Sequence, residues 1–284
     1  MISAVPTRYT VLLLLLLALS AGCSGSWLAR RKNRSVISIK GSDTVLPLVQ
    51  REAEIYMLQD SVPSLEVTGG GSGVGIKALL ENTTDIAMSS RALSTDEKIS
   101  FKAAQMDIVQ QPIAYDALAV VVHPSNPVKQ LTREQIERIY TGRITNWKEV
   151  GGSDLKIVLF SRESSSGTYE FFKEHVLNKR NFSPSALCTS SNGAIVQSVS
   201  QTPGAVGYTS LAHLNTAVKA LAVSYNQGTD YKLPDINSPD YPISRPLYFM
   251  YARNGSAHAL PYINFVLSPR GQQLVKAEGY IPVN

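Results

Sequence analysis

Between Lys156 and Leu177 the chain passes from Lys156-Ile157-Val158-Leu159-Phe160 through Ser161-Arg162-Glu163-Ser164-Ser165-Ser166-Gly167-Thr168 into Tyr169 to Leu177. The apolar run predicts a buried strand and the last segment a helix. The polar turn between them constrains the fold most. A helix starting there turns unpaired amides and the positive end of its dipole toward whatever lies beyond the strand. An anion sits well at such an end. Ser166 and Thr168 add hydroxyl donors, and Arg162 adds a planar fork suited to oxyanions. Gly167 removes the side chain that would block approach to the backbone. The alternative is that Ser164 to Ser166 only cap the helix.

The same layout recurs. Val36-Ile37-Ser38-Ile39 predicts a strand, Lys40 to Thr44 a turn, and 45–58 a helix with Pro47 in its first turn. Ser42 or Asp43 could cap that helix. Leu65 to Thr68 predicts a strand, followed by the loop Gly69-Gly70-Gly71-Ser72-Gly73-Val74-Gly75 and a helix from Ile76. No glycines in the loop fall at i, i+2 and i+5, and no Gly-Lys-Ser/Thr follows. It is therefore neither a dinucleotide fingerprint nor a Walker A loop. It still exposes amides and the Ser72 hydroxyl at a helix start, making a third anion-ready turn. Asp85 to Arg91 predicts a short strand running into Ser89, Ser90 and Arg91.

Ser94 to Glu97 and Thr132 to Gln135 have capping-box spacing, with a Leu131–Ile136 staple on the second and a stop near Gly142. Further strands are predicted at 109–112, 117–122, 204–208 and 246–251, a loop at 146–152 and a helix at 195–199. Ser268-Pro269 opens another helix with proline at its first position. Strands alternating with helices argue for an α/β architecture of mixed, mainly parallel sheets flanked by helices. Ligands of such sheets sit beyond the carboxyl ends of the strands, where these hydroxyl-bearing turns fall.

Arg8 precedes an apolar run, Val11 to Leu19, that is short for a membrane span and suits a secretory signal. Leu19-Ser20-Ala21-Gly22-Cys23 resembles a bacterial lipobox, which implies cleavage before Cys23 and lipid on it. The expectation is a signal peptide over 1–22, a lipidated basic tether over 23–35, and an extracytoplasmic remainder held at the envelope membrane. Arg8, Arg30, Arg31, Lys32 and Arg34 account for the whole formal charge of +5, leaving 35–284 formally neutral. The folded part therefore has no charge excess with which to hold nucleic acid. With Cys23 lipidated, Cys188 has no intrachain partner and is expected to be a small, half-buried residue without a disulfide.

The candidate donors are Thr44, Ser72, Ser89, Ser90, Arg91, Arg162, Ser166 and Thr168. Neutral hydroxyls at helix starts with one or two arginines suit a small tetrahedral oxyanion. None of the four histidines sits in a recognisable catalytic motif, and Ser72 lacks the Gly-x-Ser-x-Gly frame. No cluster has metal-ligand spacing, so neither a metal nor a cofactor is expected.

The motifs Gly41 to Thr44, Gly70 to Gly73, Asp85 to Arg91, Asn146-Trp147, Ser161-Arg162 with Ser166 to Thr168, Gly204 to Tyr208 and Phe265 to Gly271 occur in that order. In this the chain resembles the phosphate-binding proteins of high-affinity phosphate ABC transporters, within the periplasmic binding protein family. The match covers Val36 to Asn284. It implies a two-lobed type II periplasmic-binding-protein fold with two crossing strands as hinge, near Tyr115 and Arg245. Lobe 1 would be 36–114 completed by 246–284, and lobe 2 would be 115–245. Carried over residue by residue, the phosphate contacts fall on Thr44, the Val45 amide, Ser72, Ser90, Arg162, Ser166, Gly167 and Thr168, with Ser42 and Arg91 as further members. The resemblance implies a monomeric binder, not an enzyme, delivering inorganic phosphate to permease subunits.

Some members place an aspartate after the Met-Ser strand end to accept the proton of hydrogen phosphate. Here Ser90 and Arg91 stand there, and Asp43 and Asp116 are the candidate acceptors. Competing readings are a receptor for sulfate, molybdate or tungstate, a secreted phosphoesterase using a serine of 164–166, and an adhesin or signalling lipoprotein on the same fold.

Overall fold

The first third alternates strand and helix as predicted: β1 (Val36–Gly41), α1 (Leu46–Met57), β2 (Ser64–Thr68), α2 (Ser72–Leu80), β3 (Ile86–Ser89) and α3 (Thr95–Ala103). The computed structural model describes residues 36–237 and 240–283. The predicted signal segment, Cys23 and the basic tether lie outside them. The capping box at Ser94 and Glu97 forms, a device worth about 1 kcal/mol.

Next comes β4 (Ile108–Val122), one strand where the sequence predicts two. Pro112 lies inside the continuous strand. Around it β4 pairs on one side only, with β11 (Ser244–Ala252), and the register slips between Leu247 and Tyr248 opposite it. An edge position beside a bulge tolerates a residue that cannot donate.

The second half contains β5 (Gln130–Thr132), α4 (Arg133–Tyr140), β6 (Val158–Arg162), α5 (Gly167–His175), β7 (Leu187–Thr189), α6 (Asn192–Gln201), β8 (Ala205–Ser210), β9 (Lys219–Ala220) and β10 (Ala222–Ser224). α7 (Leu260–Leu267) and α8 (Pro269–Ala277) follow β11. The predicted Thr132–Gln135 capping box forms, and both staple residues, Leu131 and Ile136, are fully buried in one core. The expected plain loop at 146–152 contains a 3-10 turn, Trp147–Val150, capped by Asn146. Ser268 caps α8 with proline at its start, as expected.

The main sheet runs β2-β1-β3-β11-β4-β8-β6-β7, with β9 against β4; β10 and β5 pair separately. β1 is parallel to β2 and β3, and β6 to β7 and β8. The antiparallel pairs lie in the middle, where β11 meets β3 and β4, and β4 meets β8. The fold is α/β, with a curled mixed sheet flanked by helices. Cys188 is exposed rather than half-buried, because β7 is the edge strand of this sheet.

Two large apolar cores lie on either side of the strands that cross the middle. One gathers Ile37, Ile39, Leu48, Ile113, Ala114, Leu247, Phe249 and Tyr262. The other gathers Leu118, Val120, Tyr140, Trp147, Phe172, Tyr208, Tyr241 and Ile243. Each fully buried aliphatic side chain contributes about 1.5–3 kcal/mol by leaving water. Between the cores, Asp116 on β4 stands opposite Arg245 on β11 and binds it through Nε (3.2 Å) and Nη2 (3.0 Å). Both side chains are fully buried. Among the described residues, no helix is long and apolar enough to cross a membrane.

Candidate ligand-binding site

Four strand–turn–helix junctions, β1–α1, β2–α2, β6–α5 and β7–α6, meet at one place. At the first, Ser42 shapes the turn by accepting from the Val45 and Leu46 amides at its carbonyl (3.1 and 3.0 Å). The Val45 amide is thus engaged within the turn. α1 has no side-chain cap, because its N-cap position falls on Val45, two residues beyond Asp43. The Asp43 carboxylate reaches outward instead, accepting from the Gly70 amide (3.0 Å) and from Arg162 Nη2 (3.2 Å). Thr44 is buried, and its Oγ1 lies 2.9 Å from Thr168 Oγ1.

The glycine loop works as a brace rather than as an anion cradle. Its amides are spent inside the protein: Gly70 on Asp43, Gly71 on the Gly41 carbonyl (2.9 Å), and Gly73 on the Ser165 carbonyl (3.0 Å). Gly71 has φ +94°, and a Cβ there would stand 2.6 Å from the Ser165 carbonyl oxygen. Only glycine fits such backbone with so close a neighbour. The loop delivers the fully buried Ser72 hydroxyl, which accepts from the Ser90 amide (3.1 Å) and lies 3.3 Å from Ser90 Oγ.

At the end of β3 the hydroxyls divide. Ser90 turns inward to Ser72, whereas Ser89 closes its own turn by donating to the Arg91 carbonyl (2.7 Å). Arg91 does not join the set. Its Nη1 and Nη2 grip Glu97 (2.7 and 2.8 Å), and its Nε faces Glu170 as an ion pair.

β6 extends two residues further than the sequence predicts, so Arg162 ends the strand rather than opening the turn. Its amide donates to the Tyr208 hydroxyl (3.1 Å), and its Nη2 is shared between Asp43 and the Ser190 carbonyl (2.8 Å). Arg162 is 1 % exposed. Burial pushes this guanidinium below its ordinary value, Asp43 opposing, and nearby Arg245 lowers it further. Ser166 does cap α5, accepting from the Thr168 amide (3.2 Å). Gly167 packs onto the facing donors: a Cβ there would sit 2.3 Å from Ser72 Oγ and 2.7 Å from Ser90 Oγ.

Two members of the site have no counterpart in the sequence reading. Asn192, the first residue of α6, donates from Nδ2 to Thr44 Oγ1 (3.1 Å). Arg245 donates from Nη2 to Thr168 Oγ1 (3.0 Å) and stacks over the Phe171 ring at 5.3 Å. The only local signal was Ser191-Asn192 as a further helix start, capped by Ser191. Arg245 announced itself only as a crossing residue. Asp116 is occupied by Arg245 and by Ser210 Oγ (2.6 Å).

The arrangement can hold an anion. Arg162 Nε and Nη1, Arg245 Nη1 and the acceptor Asn192 Oδ1 are buried without a hydrogen-bond partner among the described residues. Buried polar groups in native proteins are normally paired. Two guanidiniums with spare donors beside a cluster of serine and threonine hydroxyls match a small tetrahedral oxyanion in charge and hydrogen-bonding sense. No hydrogen bond of these hydroxyls goes to a histidine. Among the described residues no group of three or more His, Cys, Asp or Glu could hold a metal ion.

A family model of the PBP superfamily domain matches residues 29–270. The chain is 30% identical over 260 residues to the phosphate-binding protein PstS of Borreliella burgdorferi, covering 88% of this chain and 91% of that one. It is 31% identical over 273 residues to PstS of Pseudomonas aeruginosa, covering 87% and 83%. Its fold is similar to a phosphate ABC transporter substrate-binding protein of Clostridium perfringens solved with bound phosphate. The TM-score is 0.78 and the identity 35%, covering 88% of this chain and 100% of that one. A phosphate transport receptor of Vibrio cholerae superimposes with a TM-score of 0.71 at 35% identity, covering 86% and 99%. A curled α/β fold, a cleft of hydroxyls and buried arginines, and these matches agree: the chain belongs to the phosphate-binding-protein family of the PBP superfamily, a family of binding proteins rather than enzymes.

Proposed function

We propose that the protein binds inorganic phosphate between its two halves and delivers it to the permease subunits of an ABC transporter. The carrying observation is the pair of buried guanidiniums with unpartnered N–H groups beside Thr44, Ser72, Ser90 and Thr168. An isolated dianion loses most of its hydration on burial, and only opposing charge with directed donors offsets that loss. In this reading Ser42 and Ser166 shape the turns, Gly167 allows close approach, and Arg162 supplies the main charge. Lobe 1 is 36–114 with 246–284 and lobe 2 is 115–245, closing about β4 and β11 by a hinge motion. Lipid on Cys23 holds the protein to the envelope, and the protein acts as a monomer without metal or cofactor. Equilibrium dialysis with labelled phosphate tests this reading. One phosphate per chain is expected, unchanged by chelator; loss of binding on chelation would contradict the metal-free site.

The nearest competing ligand is sulfate, which carries no proton at neutral pH. A receptor that prefers phosphate needs an acceptor for the ligand's hydroxyl. Asp43 and Asp116, the carboxylates the sequence suggested, are already engaged by arginines. Asn192 Oδ1 is the buried acceptor with spare capacity, on a side chain tied to Thr44. Asn192→Ala is therefore expected to narrow the preference for phosphate over sulfate about ten-fold, the worth of one unsatisfied polar pairing. Competition calorimetry reads this ratio, and equal weakening toward both anions would contradict it.

A further inference from the structure

Away from the crossing strands, two salt bridges join the two halves among the described residues. Arg162–Asp43 belongs to the oxyanion donor set; Arg91–Glu170 does not. Arg91 follows Ser90 on one half, and Glu170 lies in the first turn of α5, just beyond Gly167 and Thr168, on the other. The arginine is fixed before it meets its partner. Both Nη atoms are held by Glu97 in a two-point grip, and Glu97 is itself held by its capping box with Ser94. Such fork–fork pairs lock a guanidinium in place. Its remaining Nε edge is turned across the gap to Glu170. The Arg91 side chain is 10 % exposed and that of Glu170 40 %, so the contact is partly shielded from solvent. The Glu170 carboxylate makes no other hydrogen bond or ion pair among the described residues; its amide donates to the Ser166 carbonyl within α5. The two residues line a groove of about 670 Å³ that runs to Ser244 and Pro246 on the crossing strand.

We propose that Arg91 and Glu170 form a closure latch, an ion pair made only when the halves meet, which touches no ligand atom and sets how long the ligand stays. The proposal rests on the reading that the ligand is held between the halves. Arg91 is then a positioning residue rather than a phosphate contact. Its neighbour Ser90 and Glu170's neighbours Gly167 and Thr168 are carried into place by the same contact. A pair that forms only in the closed state slows opening and leaves encounter with the ligand nearly untouched.

The test is stopped-flow release of phosphate from the full-length protein, with solution scattering alongside. Glu170→Gln and Arg91→Met should each speed release about three- to ten-fold, with association within about two-fold of the parent. The double variant should release no faster than the single ones, because both remove one interaction. Raising salt should speed release from the parent but not from Glu170→Gln. Release unchanged in Glu170→Gln, or accelerated by that change equally in the Arg91→Met background, overturns the latch. A parent that binds no phosphate defeats the proposed function instead, and scattering then decides. Glu170→Lys should enlarge the radius of gyration of the phosphate-free protein, and an unchanged radius overturns the latch.

Discussion

Arg162→Ala is expected to weaken phosphate binding by about ten- to a hundred-fold, the worth of one charge-assisted hydrogen bond of about 1.5–3 kcal/mol at 1.4 kcal/mol per ten-fold. The side chain is buried at the end of β6, and its Nε and Nη1 have no protein partner. Asp43 and the Ser190 carbonyl hold only Nη2, so they orient the fork without consuming it. The alanine variant also leaves Asp43 as an uncompensated negative charge beside the site, which adds to the loss. Arg162→Lys should recover only part, since an ammonium is a point charge without the fork. Arg91→Ala is the control. With its fork committed to Glu97, it should cost binding less than Arg162→Ala. Calorimetric titration of the three variants checks the order. Parent-like binding by Arg162→Ala would make this arginine structural.

Arg245→Met should lower folding stability by about 3–5 kcal/mol, the usual cost of removing one partner from a buried ion pair. Asp116 would then be a buried carboxylate left with Ser210 as its hydrogen-bond partner, at the point where both strands pass between the cores. The loss would fall on the crossing strands β4 and β11 and, through Thr168, on the proposed ligand site. Changing Asp116→Leu as well should restore much of the stability, because a well-packed apolar pair can replace a buried ionic one. Urea denaturation measures both effects. A single variant as stable as the parent, or a double variant weaker than the single one, would contradict this assignment.

Local signals in the sequence were legible where the physics is local. Both capping boxes and the Pro269 helix start depend on residues within a few positions of one another, and they fold as read. What could not be read depends on distant partners. Asp43 has the profile of a helix cap, yet its partner Arg162 lies 119 residues away. Asn192 is an ordinary helix start until it meets Thr44, 148 positions earlier. Arg245 reaches Thr168 across 77. The glycine loop misled for the same reason. Its free-looking amides are taken by Asp43, Gly41 and Ser165, and only the fold brings these partners within reach. β4 was divided at Pro112 because edge pairing and a bulge are invisible in one strand's residues. Strands of two or three residues, such as β7, β9 and β10, are too short to carry a period.

The central claim is that an oxyanion is held by Arg162 and the hydroxyls of both halves together. A crystal structure of the protein grown with phosphate tests this most directly. The expected result is one tetrahedral anion within hydrogen-bonding distance of Arg162 Nε or Nη1 and of the Thr44, Ser72, Ser90 and Thr168 hydroxyls, with Asn192 Oδ1 facing one of its oxygens. Phosphate bound elsewhere, or in this cleft with Arg162 turned away from it, would contradict it.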